Sequence, residues 1–154
     1  MLDYVALFVI VFMVCGAAAV IVVLGSLPGK VKNVNEYLLQ SDCFILSSIT
    51  EGFPNVLLEA MAIGVPVIST NCMSGPLEIL NDNETVLIEE GEYYLAKYGI
   101  LINVNDEIAL AKAITHLKEN DTIRKEYSDL GFQKAKMYDL PEIYKQVKLL
   151  IDNE

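Results

Sequence analysis

The stretch "CFILSSITEGFPNVLLEAMAIGVPVIST", residues 43–70, decides the fold. "CFILSS" (43–48) is a compact apolar run of strand length. "NVLLEAMAIG" reads as a helix, with Asn55 predicted as its N-cap and Gly64 as its terminator. "VPVIST" (65–70) is then a second buried strand. Strand, helix and strand in direct succession predict a parallel pair with a helix lying across it.

The alternation continues on both sides. "NVNEYLLQ" (33–40) suits a short helix, and "GPLEIL" (75–80) opens another. There Pro76 fits the first helical position and Glu78 faces the free N–H groups. "TVLI" (85–88) and "GILINV" (99–104) are predicted as further short strands. The last third reads as helical: "DEIALAKAITHLKEN" puts Ile108, Ala111, Ile114 and Leu117, or their neighbours, on one face. Two more helices are expected at 121–137 and 141–152, with Asp139 and Pro141 marking the break. The predicted class is α/β, an incomplete Rossmann-like parallel sheet flanked by helices.

With 53% hydrophobic and 21% charged residues, the 154-residue chain has the makings of one packed core and is not a disordered one. Its net charge of −10 argues against nucleic acid as a partner, since that binding needs clustered Lys and Arg. Cys15, Cys43 and Cys72 lack the spacing of a zinc site or a redox pair, which suggests a reducing compartment. His116 is the only histidine, so multi-histidine metal sites are excluded, and it reads as an ordinary helix-surface residue. No G-x-G-x-x-G follows a predicted strand and no P-loop is present.

The start of the chain differs from the rest. Tyr4 to Leu24 is nearly all apolar, long enough for a helix across a bilayer. Asp3 precedes it and Lys30 and Lys32 follow, which predicts a membrane anchor with the domain on the cytoplasmic side. A cleavable leader fits less well, because the first residues carry no Lys or Arg. A third reading makes "VIVVLG" a buried parallel strand, which excludes a helix ending at the same residues.

Glu51 and Glu59, with seven residues between them, flank the helix start that follows the first strand. Ligands of open parallel sheets bind beyond the carboxyl ends of the strands. Gly52 allows close backbone approach and Pro54 stiffens the turn. The free N–H groups of the helix favour an anion such as a diphosphate. A carboxylate about one turn in, at Glu59, can accept from the vicinal hydroxyls of a ribose, and Glu51 from a second polyol. Equally, both charges can simply complement the helix dipole, and spacing alone does not decide between these readings.

The wider phrase, "EGFPNVLLEAMAIGVPVIST" followed by "SGPLEIL", strongly resembles the C-terminal domain of the retaining, GT-B-fold glycosyltransferases of group 1, or family 4. The likeness extends through "YLLQSDCFILSS" and "YGILINVNDEIALAKAI", from about Val20 or Gly25 to the end. It implies transfer of a sugar from a UDP- or GDP-sugar donor with retention at the anomeric carbon, without metal or cofactor. It makes Glu51 the catalytic candidate, in contact with donor-sugar hydroxyls, and Glu59 the ribose ligand. Gly52 and the amides around Phe53, Asn55, Val56 and Leu57 would face the sugar and diphosphate. Ser74, Gly75 and Glu78 match a later loop of the family, where a helix-start role stands beside ligand contact. The "SGP" wording is similar to transferases of bacterial cell-surface polysaccharides.

Between Lys32 and Lys97 there is no Lys or Arg, although a diphosphate beside two glutamates needs cations. In the family those come from earlier in the same domain, and the acceptor site from a separate N-terminal domain. The expected layout is therefore an apolar membrane segment (1–24) and a partial donor-binding domain (25–154). Such a chain is a fragment, or a membrane-bound half completed by a second chain. The alternative is a non-catalytic, membrane-anchored binding or scaffolding module.

Overall fold

The computed structural model describes residues 9–14, 19–23, 26–29, 34–139 and 141, with side chains from residue 36 onward. The strands are β1 (Val9–Val14), β2 (Ala19–Val23), β3 (Ser26–Gly29), β4 (Cys43–Leu46), β5 (Val67–Thr70), β6 (Tyr93–Leu95) and β7 (Ile100–Ile102). The helices are α1 (Val34–Leu38), α2 (Asn55–Ala62), α3 (Pro76–Asn81), α4 (Glu107–Glu119) and α5 (Asp121–Lys136). Among the described residues one sheet forms, in the order β3-β2-β1-β4-β5-β7-β6. Its middle is parallel, with Ile10 opposite Phe44, Phe44 opposite Val67 and Ile68 opposite Ile100. β2 and β3 extend one end antiparallel, and β6 the other.

The parallel strands are apolar on both faces, as a helix-covered sheet requires. Phe44, Leu46, Val67 and Leu101 pack with Leu57, Ala60 and Met61 of α2 and Ile79 and Leu80 of α3. Cys43, Ile45, Ile68, Ile100 and Ile102 face the other way, against Ala109, Ala113 and Leu117 of α4. Burial pushes the Cys43 thiol far up, so it packs as a neutral apolar group. Cys43 and Cys72 are both free.

The spanning helix expected from Tyr4 to Leu24 is not formed. Val9–Val14 and Ala19–Val23 are strands, paired antiparallel with each other, and β1 joins β4 in the main sheet. Hydropathy reports burial and not period, and a run this rich in β-branched Val and Ile suits strands. The strand reading of "VIVVLG" has the right element but the wrong direction. Among the described residues no helix is long and apolar enough to cross a membrane.

Smaller differences have local causes. "TVLI" forms no strand; Val86 and Ile88 pack against the core while Leu87 stands 97% exposed. The strand in this region is instead β6, over "YYL", which pairs antiparallel with β7. On α4 the buried face is Ala109, Ala113 and Leu117: Leu117 lies where predicted, Ala109 and Ala113 are neighbours of Ile108 and Ile114, and Ile108 itself is 61% exposed. Two small alanines let the helix approach the sheet more closely than isoleucines would. The helix expected at 141–152 lies outside the described residues, apart from Pro141.

Helix ends follow from named residues. Gly64 adopts φ +80, and the N–H groups of Gly64 and Val65 close back on the carbonyls of Met61 and Ala60. That pairing is a Schellman stop, and the left-handed residue it needs is the predicted terminator. A Cβ here would also meet Ser128 Oγ at 3.0 Å. Gly64→Ala is therefore expected to destabilise the chain by about 1–2 kcal/mol in urea unfolding.

Asp106 caps α4, accepting from Ala109 N at 2.9 Å and from Gly91 N at 2.7 Å. The Ala109 and Gly91 amides hold its carboxyl below the usual range. A carboxyl lower in the folded than in the unfolded chain stabilises the fold above its unfolded value. That contribution disappears as pH falls through the folded value. In acid titrations of stability, the gap between the wild type and Asp106→Asn is expected to be full near neutrality and to close below about pH 4.

Candidate functional site

Two loops meet at the carboxyl end of the sheet. Residues 47–54 leave β4 and residues 71–75 leave β5, joined by an isolated parallel bridge between Thr50 and Met73. Ser74 sits at φ 65, its Oγ 2.9 Å from the Glu51 carbonyl, 3.2 Å from that of Gly52 and 2.8 Å from that of Met73. The hydroxyl has one proton to share among these acceptors, so it ties the second loop to the first. Gly75 completes the junction: a Cβ there would stand 2.3 Å from Pro54 Cδ and 2.5 Å from the Gly52 carbonyl.

Glu51 is half-buried beside strand β4, where Ser48 Oγ donates to its Oε1 at 2.5 Å. Thr70, ending β5, donates to the Ser48 carbonyl at 2.5 Å. Neither Ser48 nor Thr70 stands out in the sequence as a site residue. Their only signal was a pair of hydroxyl residues at the end of each strand, "SS" and "ST". Cys72 is buried next to this cluster; desolvation, with Glu51 nearby adding to it, raises its thiol above the ordinary range.

Asn55 is not the cap of α2. Pro54 holds the N-cap position without a side-chain hydrogen bond, and Asn55 is the first helical residue, exposed. The turn begins one residue earlier than predicted, so the Asn55 amide side chain starts from helical backbone and cannot reach the next N–H groups. Of the amides expected to face a ligand, Asn55 N bonds the Phe53 carbonyl and Leu57 N the Pro54 carbonyl, each at 3.0 Å. Among the described residues the N–H groups of Phe53 and Val56 have no partner. The Leu57 side chain is fully buried, whereas Gly52 and Phe53 are exposed. Glu59 stands exposed on α2, about 6 Å along the helix from Asn55. Glu78 is exposed in the first turn of α3.

Lys97 and Lys134 are both committed to carboxylates. Lys134 of α5 is 5% exposed and bonds Asp82 at 2.6 Å. Its ammonium lies 5.0 Å from the Tyr98 ring centre and 5.4 Å from that of Tyr138, which in turn packs on Phe53 at 5.5 Å. Burial works to lower the Lys134 ammonium, but the Asp82 carboxylate outweighs it and holds it above the usual lysine range. Lys134 in turn lowers Asp82. Lys97 pairs with Asp82 at 3.2 Å and Glu84 at 2.6 Å. Lys30 and Lys32 lie outside the described residues. Lys134 therefore braces the floor of the Phe53 loop and offers no free charge to a ligand.

Two hollows among the described residues lie away from Glu51. One of about 500 Å³ is bounded by Tyr93, Lys112 and His116, and one of about 470 Å³ by Asn103, Asn105 and Asp106. A smaller one of about 220 Å³ runs past Ser47, Thr70 and Asn103 at the strand ends. His116 is half-buried, with Nε2 lacking a partner among the described residues. Among those residues no group of three or more His, Cys, Asp or Glu is placed to hold a metal ion.

The family model for glycosyl transferases group 1 matches residues 15–137. The chain belongs to that family. It is 36% identical over 142 residues to an uncharacterized glycosyltransferase of Methanocaldococcus jannaschii, covering 82% of this chain and 35% of the relative. It is 29% identical over 117 residues to the N-acetylgalactosamine-N,N'-diacetylbacillosaminyl-diphospho-undecaprenol 4-alpha-N-acetylgalactosaminyltransferase of Campylobacter jejuni, covering 76% of this chain and 28% of that one. The chain thus spans about a third of the length of these curated relatives. Among solved structures, HepE of Anabaena in complex with UDP superposes with a TM-score of 0.63 at 20% identity, over 80% of this chain and 31% of that one. Sucrose-phosphate synthase of Thermosynechococcus elongatus superposes at 0.62 with 23% identity, over 83% of this chain and 29% of that one. The fold is that of a GT-B glycosyltransferase domain, built here on an incomplete Rossmann-like sheet.

Gly75→Ala is expected to pry the two loops apart without unfolding the sheet. Hydrogen exchange should quicken at amides of residues 50–56 and stay slow in β4 and β5; uniform change across the chain would contradict this.

Proposed function

We propose that the chain is the donor-binding wall of a glycosyltransferase that transfers sugar from a UDP- or GDP-sugar with retention and without a metal ion. The observation that carries this reading is the clustering of Glu51, the open amides of Phe53 and Val56, and exposed Glu59 around one helix start beyond the carboxyl end of β4. Backbone N–H groups at a helix start suit the diphosphate. Glu59 is spaced to accept from the ribose hydroxyls and Glu51 from the donor sugar, where it is the catalytic candidate. Family membership supports the reaction class, and a fold neighbour solved with UDP supports the nucleotide.

The acceptor would be bound by a further domain or a second chain. Two relatives are named for acting on undecaprenol-diphosphate-linked saccharides, which supports a lipid-linked glycan as acceptor and work at the cytoplasmic face of a membrane. In this reading the membrane link lies in the acceptor and not in a spanning helix of the described residues.

One observation favours a second reading, a binding or scaffolding module without transfer: Lys134, whose ring partner Tyr138 packs on Phe53, is paired with Asp82. Calorimetric titration of the chain with UDP- and GDP-sugars separates the two. Under the first reading, Glu59→Ala weakens nucleotide-sugar binding roughly ten- to a hundredfold, the loss of a hydrogen bond to a charged group, and chelators change nothing. Under the second it has no effect. The chain by itself is expected to bind weakly and to transfer no sugar, so turnover by the purified chain would refute the half-site description.

A further inference from the structure

We propose that Ser48 is a positioning residue for Glu51, holding one carboxylate oxygen so that the other faces the donor sugar. The inference rests on the donor-sugar role proposed for Glu51. Ser48 is 2% exposed, so it has no surface with which to touch a ligand. Its hydroxyl carries a single proton, and that proton is directed at Glu51 Oε1 over 2.5 Å. Glu51 Oε2 accepts nothing among the described residues, and Glu51 itself is half-buried at the loop surface. One oxygen is thus anchored by Ser48, and the other is left for a ligand.

The anchor is itself fixed. Thr70, 3% exposed, donates to the Ser48 carbonyl at 2.5 Å, well inside its 3.5 Å separation from the Leu46 carbonyl. Thr70 in turn is held by the sheet, in register with Ile102 of β7. A line of contacts therefore runs from the rigid parallel strands through Thr70 and Ser48 to a side chain that would otherwise rotate freely. Ordering that carboxylate in the folded chain removes a cost that donor binding would otherwise bear. Ser48 and Thr70, one from each hydroxyl pair closing the two strands, have this purpose, which their sequence alone does not reveal.

The test compares UDP with UDP-glucose, UDP-N-acetylgalactosamine and GDP-mannose as probes, titrated into the full chain and its variants. With whichever sugar nucleotide the wild type binds, Ser48→Ala is expected to lose about tenfold in affinity while binding of the bare nucleoside diphosphate is unchanged. Thr70→Val should show the same pattern more weakly, and in a Glu51→Gln background Ser48→Ala should add almost nothing. Thermal unfolding midpoints confirm that each variant is folded. Equal losses for the nucleotide with and without its sugar, or full additivity with Glu51→Gln, would overturn the inference and leave Ser48 a structural residue. If Glu51→Gln leaves sugar-nucleotide binding intact, or the wild type binds none of the probes, the donor-site reading fails first and this inference with it.

Discussion

The sheet carries apolar side chains on both faces of β4, β5 and β7, and both faces must be covered for the chain to fold. That requirement sends α2 and α3 to one side and α4 to the other, each between or after parallel strands. It also brings the carboxyl ends of β4 and β5 side by side, since Phe44, Ile45 and Leu46 pair with Val67, Ile68 and Ser69. The loops leaving those ends have nowhere to go but against each other. The Ser74 contacts and the Gly75 close approach are consequences of that neighbourhood, as is the cluster around Glu51.

Polarity changes abruptly at the strand ends. Inside the sheet the side chains are apolar; at Ser48, Ser69 and Thr70 they become buried hydroxyls. A buried hydroxyl is tolerated only when it is bonded, and each of these donates within the protein. The same rule explains Lys134, buried beside Asp82 and between two tyrosine rings, beneath the loop that carries Phe53. Removing only one partner of such a pair would strand a charge in a poorly solvated place.

Much of the frame was legible in the sequence because it rests on local stereochemistry. Gly64 stops α2 since the stop needs a left-handed residue, and Pro76 opens α3 because its missing N–H costs nothing there. Less legible were features set by pairing partners. β6 is a short strand only because β7 offers it an edge, and nothing in "YYL" distinguishes it from "TVLI". The long apolar run before residue 25 fits a membrane helix and a set of sheet strands equally well by hydropathy. The run's β-branched Val and Ile favour strands, and the pairing of β1 with β4 decides it.

For the candidate site the division is similar. By itself the sequence determined the strand–helix–strand unit, the glycine-proline turn and the two glutamates around a helix start, because these follow from residue type and short spacing. The tertiary structure alone decided which amides remain open, that Lys97 and Lys134 are spent on acidic neighbours, and that Glu51 has a hydroxyl partner tied to the next strand. Those are contacts between residues on different elements. Their geometry exists only once both faces of the sheet are buried and the strand ends stand in register.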